Sequence, residues 1–173
     1  MKKKIMLFIM LITVVLLGGC MFKEHERVFK LSNPEPTKGA LTYSNEDFLI
    51  SFSSVYKEGI QINFENKLDS TMKVEWGEAV FVTPDNQASQ AIPNKVSYID
   101  VGDTINPTVI PGGANAEIYV FPEKNIDKGE AVIRDMEFNK EKTNTISVIL
   151  PITIEDKLEE YKFDFEVFYR KIR

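Results

Sequence analysis

Cys20 and His25 are the only cysteine and the only histidine of the chain, five positions apart in a polar stretch near its start. A general base or a metal ligand has to be held on a rigid scaffold, and nothing in the pattern around His25 supplies one. A Ser–His–Asp triad is excluded, and the common zinc sites lack the Cys and His ligands they need. Carboxylates are plentiful, and a glycan hydrolase needs only two. Glu75, Glu78, Asp100 and Asp103 fall on strands and loops where they could face a groove. No spacing nominates a pair, however, and outward strand positions of an acidic protein are charged in any case. Asp85-Asn86-Gln87 and Asp100-Val101-Gly102-Asp103 are the stretches richest in calcium-binding oxygens, but neither fits the twelve-residue helix-flanked calcium loop. Such turns are mostly just turns. Gly112-Gly113 after Pro111 lacks the lysine and following helix of a phosphate loop and reads as a tight turn. The expectation is a non-enzyme without catalytic, cofactor-binding or metal-binding residues.

The informative residues lie further upstream. Lys2-Lys3-Lys4 are followed by the uncharged run Ile5–Leu17. A basic start is held on the cytoplasmic side, and a core of about 13 residues is short of the roughly 20 that a membrane-spanning helix needs. No Ala-x-Ala-like cleavage site follows. Instead the run closes on Leu17-Gly18-Gly19-Cys20, which resembles the lipobox of bacterial lipoprotein signal peptides: a branched apolar residue, two small residues and an obligatory cysteine. The resemblance implies that Cys20 is thioether-linked to diacylglycerol, that cleavage falls between Gly19 and Cys20, and that the remainder lies outside the cytoplasmic membrane. Met21 lacks the acidic residue tied in that family to inner-membrane retention, which implies the outer membrane where a cell has one. The residues alone leave open an uncleaved signal anchor or an unmodified cysteine. A lone thiol at such a junction fits acylation better than redox or metal chemistry, and with it acylated, Cys–His nucleophilic chemistry is excluded too.

Charge narrows the partners. The chain carries 21 Lys+Arg and 26 Asp+Glu; residues 1–19 hold three lysines and no acid, so residues 20–173 carry 18 basic against 26 acidic groups. That excess argues against nucleic acid and against electrostatic adhesion to anionic lipid. Membrane attachment must then come from acyl chains, two or three of which anchor durably.

Three regions follow: residues 1–19 as signal peptide, 20–47 as acylated cysteine and tether, and 48–173 as one domain of ordinary size. The tether is polar, interrupted by Ser32-Asn33-Pro34-Glu35-Pro36-Thr37, with Val28–Leu31 as a stretch that could fold back as a short strand. From Phe48 the pattern has period two. Ile60, Ile62 and Phe64 alternate with polar residues; Met72, Val74 and Trp76 read as the hairpin partner after the turn Lys67–Thr71. Further strands are expected at Ala79–Val82, Val96–Ile99, Ile118–Phe121 and Ala131–Ile133, with a helical turn expected only within Asn125–Met136. The clearest signal is a C-terminal hairpin: Ile146, Val148, Leu150, Ile152 and Ile154 on one face, then Tyr161, Phe163, Phe165, Val167 and Tyr169 after Glu155-Asp156-Lys157. Pro151 within it predicts an edge strand or a bulge.

The pattern predicts an all-β, antiparallel, Ig-like sandwich of about eight or nine strands with little helix and Trp76 in its core. Val74-x-Trp76-x-x-Ala79-x-Phe81-Val82, Ala88-Ser89-x-x-Ile92-Pro93-Asn94 and Pro107-x-Val109-Ile110-Pro111-Gly112 resemble a pattern in small bacterial envelope lipoproteins, which implies a sandwich and an envelope location and names no activity. The loops Pro84–Pro93 and Gly102–Asn115 are the expected binding surface, stiffened by their prolines. The reading is a lipid-anchored binding module for a protein or an envelope polymer. A structural subunit of an envelope secretion or transport assembly is the alternative, and a two-carboxylate glycan hydrolase a distant third.

Overall fold

The computed structural model describes residues 25–35, 41–55, 58–94, 105–130 and 132–171. Among them the chain forms thirteen strands and one 3-10 turn: β1 His25–Asn33, β2 Thr42–Ser44, β3 Phe48–Val55, β4 Ile60–Asn66, β5 Met72–Val74, β6 Val80–Val82, β7 Ala88–Pro93, β8 Thr108–Ile110, β9 Asn115–Pro122, β10 Ile126–Asp127, β11 Val132–Ile133, β12 Asn144–Ile154 and β13 Lys157–Lys171, with the 3-10 turn at Glu123–Asn125. All pairings are antiparallel. The expected all-β architecture is what forms, with more and shorter strands than the pattern suggested. The signal-peptide residues, the strand expected at Val96–Ile99 and residues 20–24 and 36–40 of the expected tether lie outside the described residues.

The ladder runs β1-β13-β12-β6-β7-β9-β4-β3-β2, with β5 joining β12 to β8. It folds into two layers at β7, whose first half (Ala88–Gln90) pairs with β6 and whose second half (Ala91–Pro93) pairs with β9. The two ends of this ladder, β1/β13 and β2/β3, meet through side chains. Tyr43 stacks edge-on against Phe163 at 5.7 Å, Phe48 against Tyr161 at 5.0 Å, and Phe52 against Phe163 and Phe165 at 5.0 and 4.7 Å. Each such pair contributes about 0.5–1.5 kcal/mol beyond the area it buries.

Period-two alternation fixed the core faces. Ile60, Ile62 and Phe64 of β4, and Ile146, Val148, Leu150 and Ile152 of β12, are buried, as are Phe163, Phe165 and Val167 of β13. Trp76 is fully buried between the layers, and its indole N–H donates to Thr108 Oγ1 at 2.8 Å. The C-terminal hairpin has the expected register and a tighter turn. Ile154 faces Lys157 across Glu155-Asp156, both at positive φ (50° and 63°), as a two-residue type I′ loop requires.

Four expectations are corrected. First, the stretch expected as tether supplies strands: β1 pairs with β13 from His25 opposite Lys171 to Asn33 opposite Asp164, and β2 pairs with β3. Leu31 is fully buried; the apolar residues Val28, Phe29 and Leu31, too few to signal a strand alone, find a partner in the long β13. Second, β4 and β5 are not a hairpin. β4 pairs with β3 and β9, and β5 with β12 and β8, so Lys67–Thr71 crosses between layers. Asn66 makes the crossing possible: its amide nitrogen donates to the carbonyls of Ser70, Ile110 and Pro111 at 2.8–3.1 Å. Third, Pro151 lies in a central strand and needs neither an edge nor a bulge. Its carbonyl accepts Glu75 N–H at 2.9 Å in the gap where β12 passes from β6 to β5. Carbonyl and nitrogen of one strand residue point to the same side, so the missing N–H falls in that gap. Fourth, the helical turn, at Glu123–Asn125, begins two residues ahead of the predicted stretch and shares only Asn125 with it, and β10 and β11 form a small hairpin after it.

Candidate functional site

The registers divide the turns between two ends. The far end carries the β12–β13 turn and, by the β5–β12, β5–β8 and β4–β9 registers, the segments 45–47, 67–71 and 111–114. The near end carries His25, Lys171, the turn Pro84-Asp85-Asn86 and residues 123–130 and 132–143. The two loops expected to make one surface therefore do not meet. Pro84–Pro93 is mostly strand β7 with its turn at the near end, and Gly102–Asn115 contains β8 and turns at the far end.

The far end is closely tied. Asn45 Oδ1 accepts the N–H groups of Asp47 and Phe48 at 3.1 and 2.9 Å. Lys67 donates from its ammonium to Ser44 Oγ and to the Asn45 carbonyl. Gly113 N–H donates to the Leu68 carbonyl at 2.9 Å, with φ +67° at Gly113. Gly112 lies so near the Asp69 backbone that a Cβ there would sit 2.3 Å from the carbonyl oxygen.

These turns frame an open groove of about 330 Å³ lined by Leu68, Ile152, Ile154 and Tyr161, with Asp47, Glu155, Lys157 and Glu159 around them. Lys157 pairs with Glu159, and the Tyr161 hydroxyl donates to Glu159 Oε2 at 2.8 Å. Those two donors hold the Glu159 carboxyl below the usual range, and Glu159 raises Lys157 in return. Burial, then the bond to Glu159, raises the Tyr161 phenol, so it stays protonated at neutral pH. Residues 45–47, 67–71 and 155–160 bring together seven acids and two lysines. An apolar floor under an acidic rim suits a partner offering an apolar side chain beside a cation.

Glu75 and Glu78 line one shallow groove, about 360 Å³, with Ile105, Pro107, Thr153 and Leu158. Thr153 donates to Glu75 Oε1 at 3.3 Å. Asp100 and Asp103 lie outside the described residues, as do Leu17, Gly18, Gly19 and Cys20. His25 opens β1. At the near end Asp85 accepts Lys124 Nζ at 2.7 Å and the Thr83 hydroxyl, and both hold its carboxyl low, Lys124 first. The calcium-like turn Asp85-Asn86-Gln87 thus already has a cation from the chain itself. Arg134 pairs with Asp127 beside it, and Asn125 Nδ2 donates to the Arg134 carbonyl at 3.0 Å. The sequence pattern missed the far-end groove because its lining comes from three separate stretches, each looking like ordinary turn or strand; the unusual density of acids around Glu155 was the available signal.

No protein-family model matches the chain, and no curated protein matches it. Among solved structures it is similar to self-complemented MyfA, the major subunit of Myf fimbriae from Yersinia enterocolitica. The identity is 10% and the TM-score 0.34, with 83% of this chain and 98% of that one covered.

Proposed function

We propose that the protein is a lipid-anchored, extracytoplasmic β-sandwich that binds a protein or an envelope polymer without acting on it chemically. The observation that carries the reading is the run Leu17-Gly18-Gly19-Cys20 behind a tribasic start and a short apolar core. Acyl chains on Cys20 concentrate the domain at a membrane surface, and the far-end groove is the docking site. A mostly apolar floor with a few polar groups around it is the usual composition of a binding site. The groove's acidic rim adds selectivity for a cationic group next to an apolar one.

Intact mass and detergent partitioning of the native protein, compared with Cys20→Ser, test the anchor. A diacylglycerol-sized increase on Cys20 and release of the variant from membranes are the expected result; an unmodified or uncleaved chain overturns the reading. Crosslinking in the membrane then tests the groove. Partners captured by the lipidated protein are expected to be lost on Glu155→Lys with Asp47→Lys, and equal capture by that variant moves the docking site elsewhere.

A further inference from the structure

We propose that the domain leans on anionic lipid through one basic corner of its near end, which points the far-end groove away from the membrane; this rests on the lipid-anchor reading. Only residues 21–24 separate Cys20 from β1. Five residue steps span at most about 17 Å. Roughly a third of that is spent crossing the headgroups, so His25 lies within about a Debye length of the lipid surface. Charges at the near end therefore act on the membrane, only partly screened. Those at the far end do not, because the fourteen steps along β13 set it off by about 46 Å.

The acidic surplus of the chain is not spread evenly. Among the described residues beside the anchor strand, exposed Lys140, Lys142 and Lys171 stand with Arg27 and Arg170 against Glu26 and Glu141. The corner is built tightly. Asn144, opposite Val167, bonds the carbonyls of Asn139 and Lys142 through its amide and so ties the loop 139–142 to β13. Arg27, opposite Tyr169, lies over the rings of Phe29 and Phe138 at 5.0 and 5.1 Å, and Arg170 pairs with Glu26 at 2.8 Å. The other side of the near end has the opposite sign: residues 83–87 and 123–137 carry six acids against Lys124, Lys128 and Arg134. An anionic surface attracts the first side, repels the second, and so tilts the domain on its short leash. The overall charge, which argues against adhesion of the whole protein to lipid, hides this local reversal.

The lipidated protein, beginning at Cys20, is added to phosphatidylcholine vesicles with and without about one third phosphatidylglycerol. Its lysines are then acetylated with a membrane-impermeant reagent and mapped by mass. On the anionic vesicles Lys140, Lys142 and Lys171 are expected to react about fivefold more slowly, with the protection lost at high salt. Lys128 and Lys157 are expected to react equally on both. If all five lysines react alike on a chain whose mass shows the lipid, the orientation is wrong and the anchor stands. If Cys20 carries no lipid, both proposals fall together.

Discussion

At the residue scale, single side chains hold the turns in place. Asn66 is the strongest case, because one amide nitrogen serves three carbonyls from two other segments. Asn66→Ala leaves them without that donor, and a loss of about 2 kcal/mol is expected. Denaturant titration measures it, as a lowered midpoint at an unchanged slope; a change below about 0.5 kcal/mol would show that water replaces the amide freely. Asp164 makes an acid-limb prediction. Burial would raise its carboxyl, but the Ser147 hydroxyl, the Lys162 ammonium and the Asn33 amide outweigh burial and hold it below the usual carboxylate range. A lowered folded value means the contribution is complete above the unfolded value and fades as pH falls through the folded one. Stability is therefore expected to drop below about pH 4, and Asp164→Asn to flatten that drop. Parallel pH profiles for both proteins would assign the drop to other groups.

At the element scale, long alternations were readable and short pairings were not. The β12–β13 hairpin announced itself through ten apolar positions of period two, and Glu155-Asp156 supplied a turn. β1 was barely visible: Val28, Phe29 and Leu31 make too short a signal without the partner strand that Phe165 and Val167 provide. The same limit concealed the destination of β5, since nothing in Met72-Lys73-Val74 says which layer it joins; Asn66, 44 residues from Ile110, decides it. Leu31→Ala is expected to cost about 3 kcal/mol, measured by the same denaturant titration, whereas a loss within error would make β1 a loosely attached appendage. At the β8–β9 turn, Gly112→Ala drives a methyl into the Asp69 carbonyl and is expected to lower the melting temperature by roughly 4–8 °C. An unchanged melting temperature would mean that the 67–71 segment can yield.

For the whole molecule, β7 is the joint. Because its two halves belong to different layers, neither layer can open without breaking the other's ladder, and unfolding is expected to be a single transition. Native-state hydrogen exchange checks this: amides of β4 and β12 should share one opening free energy, and separate values would divide the sandwich in two. The position of β1 has a mechanical consequence. The chain upstream enters at His25 and runs along β13 toward the groove, with seven residue pairs in register from His25 to Leu31 and an eighth, Asn33 with Asp164, beyond a register shift. A pull between the start of the chain and something held at the far end therefore acts along the strands. It loads the rungs of that ladder together, in shear, where a perpendicular pull would unzip them one at a time. The attachment is strongest in the direction in which a tethered domain would be tugged.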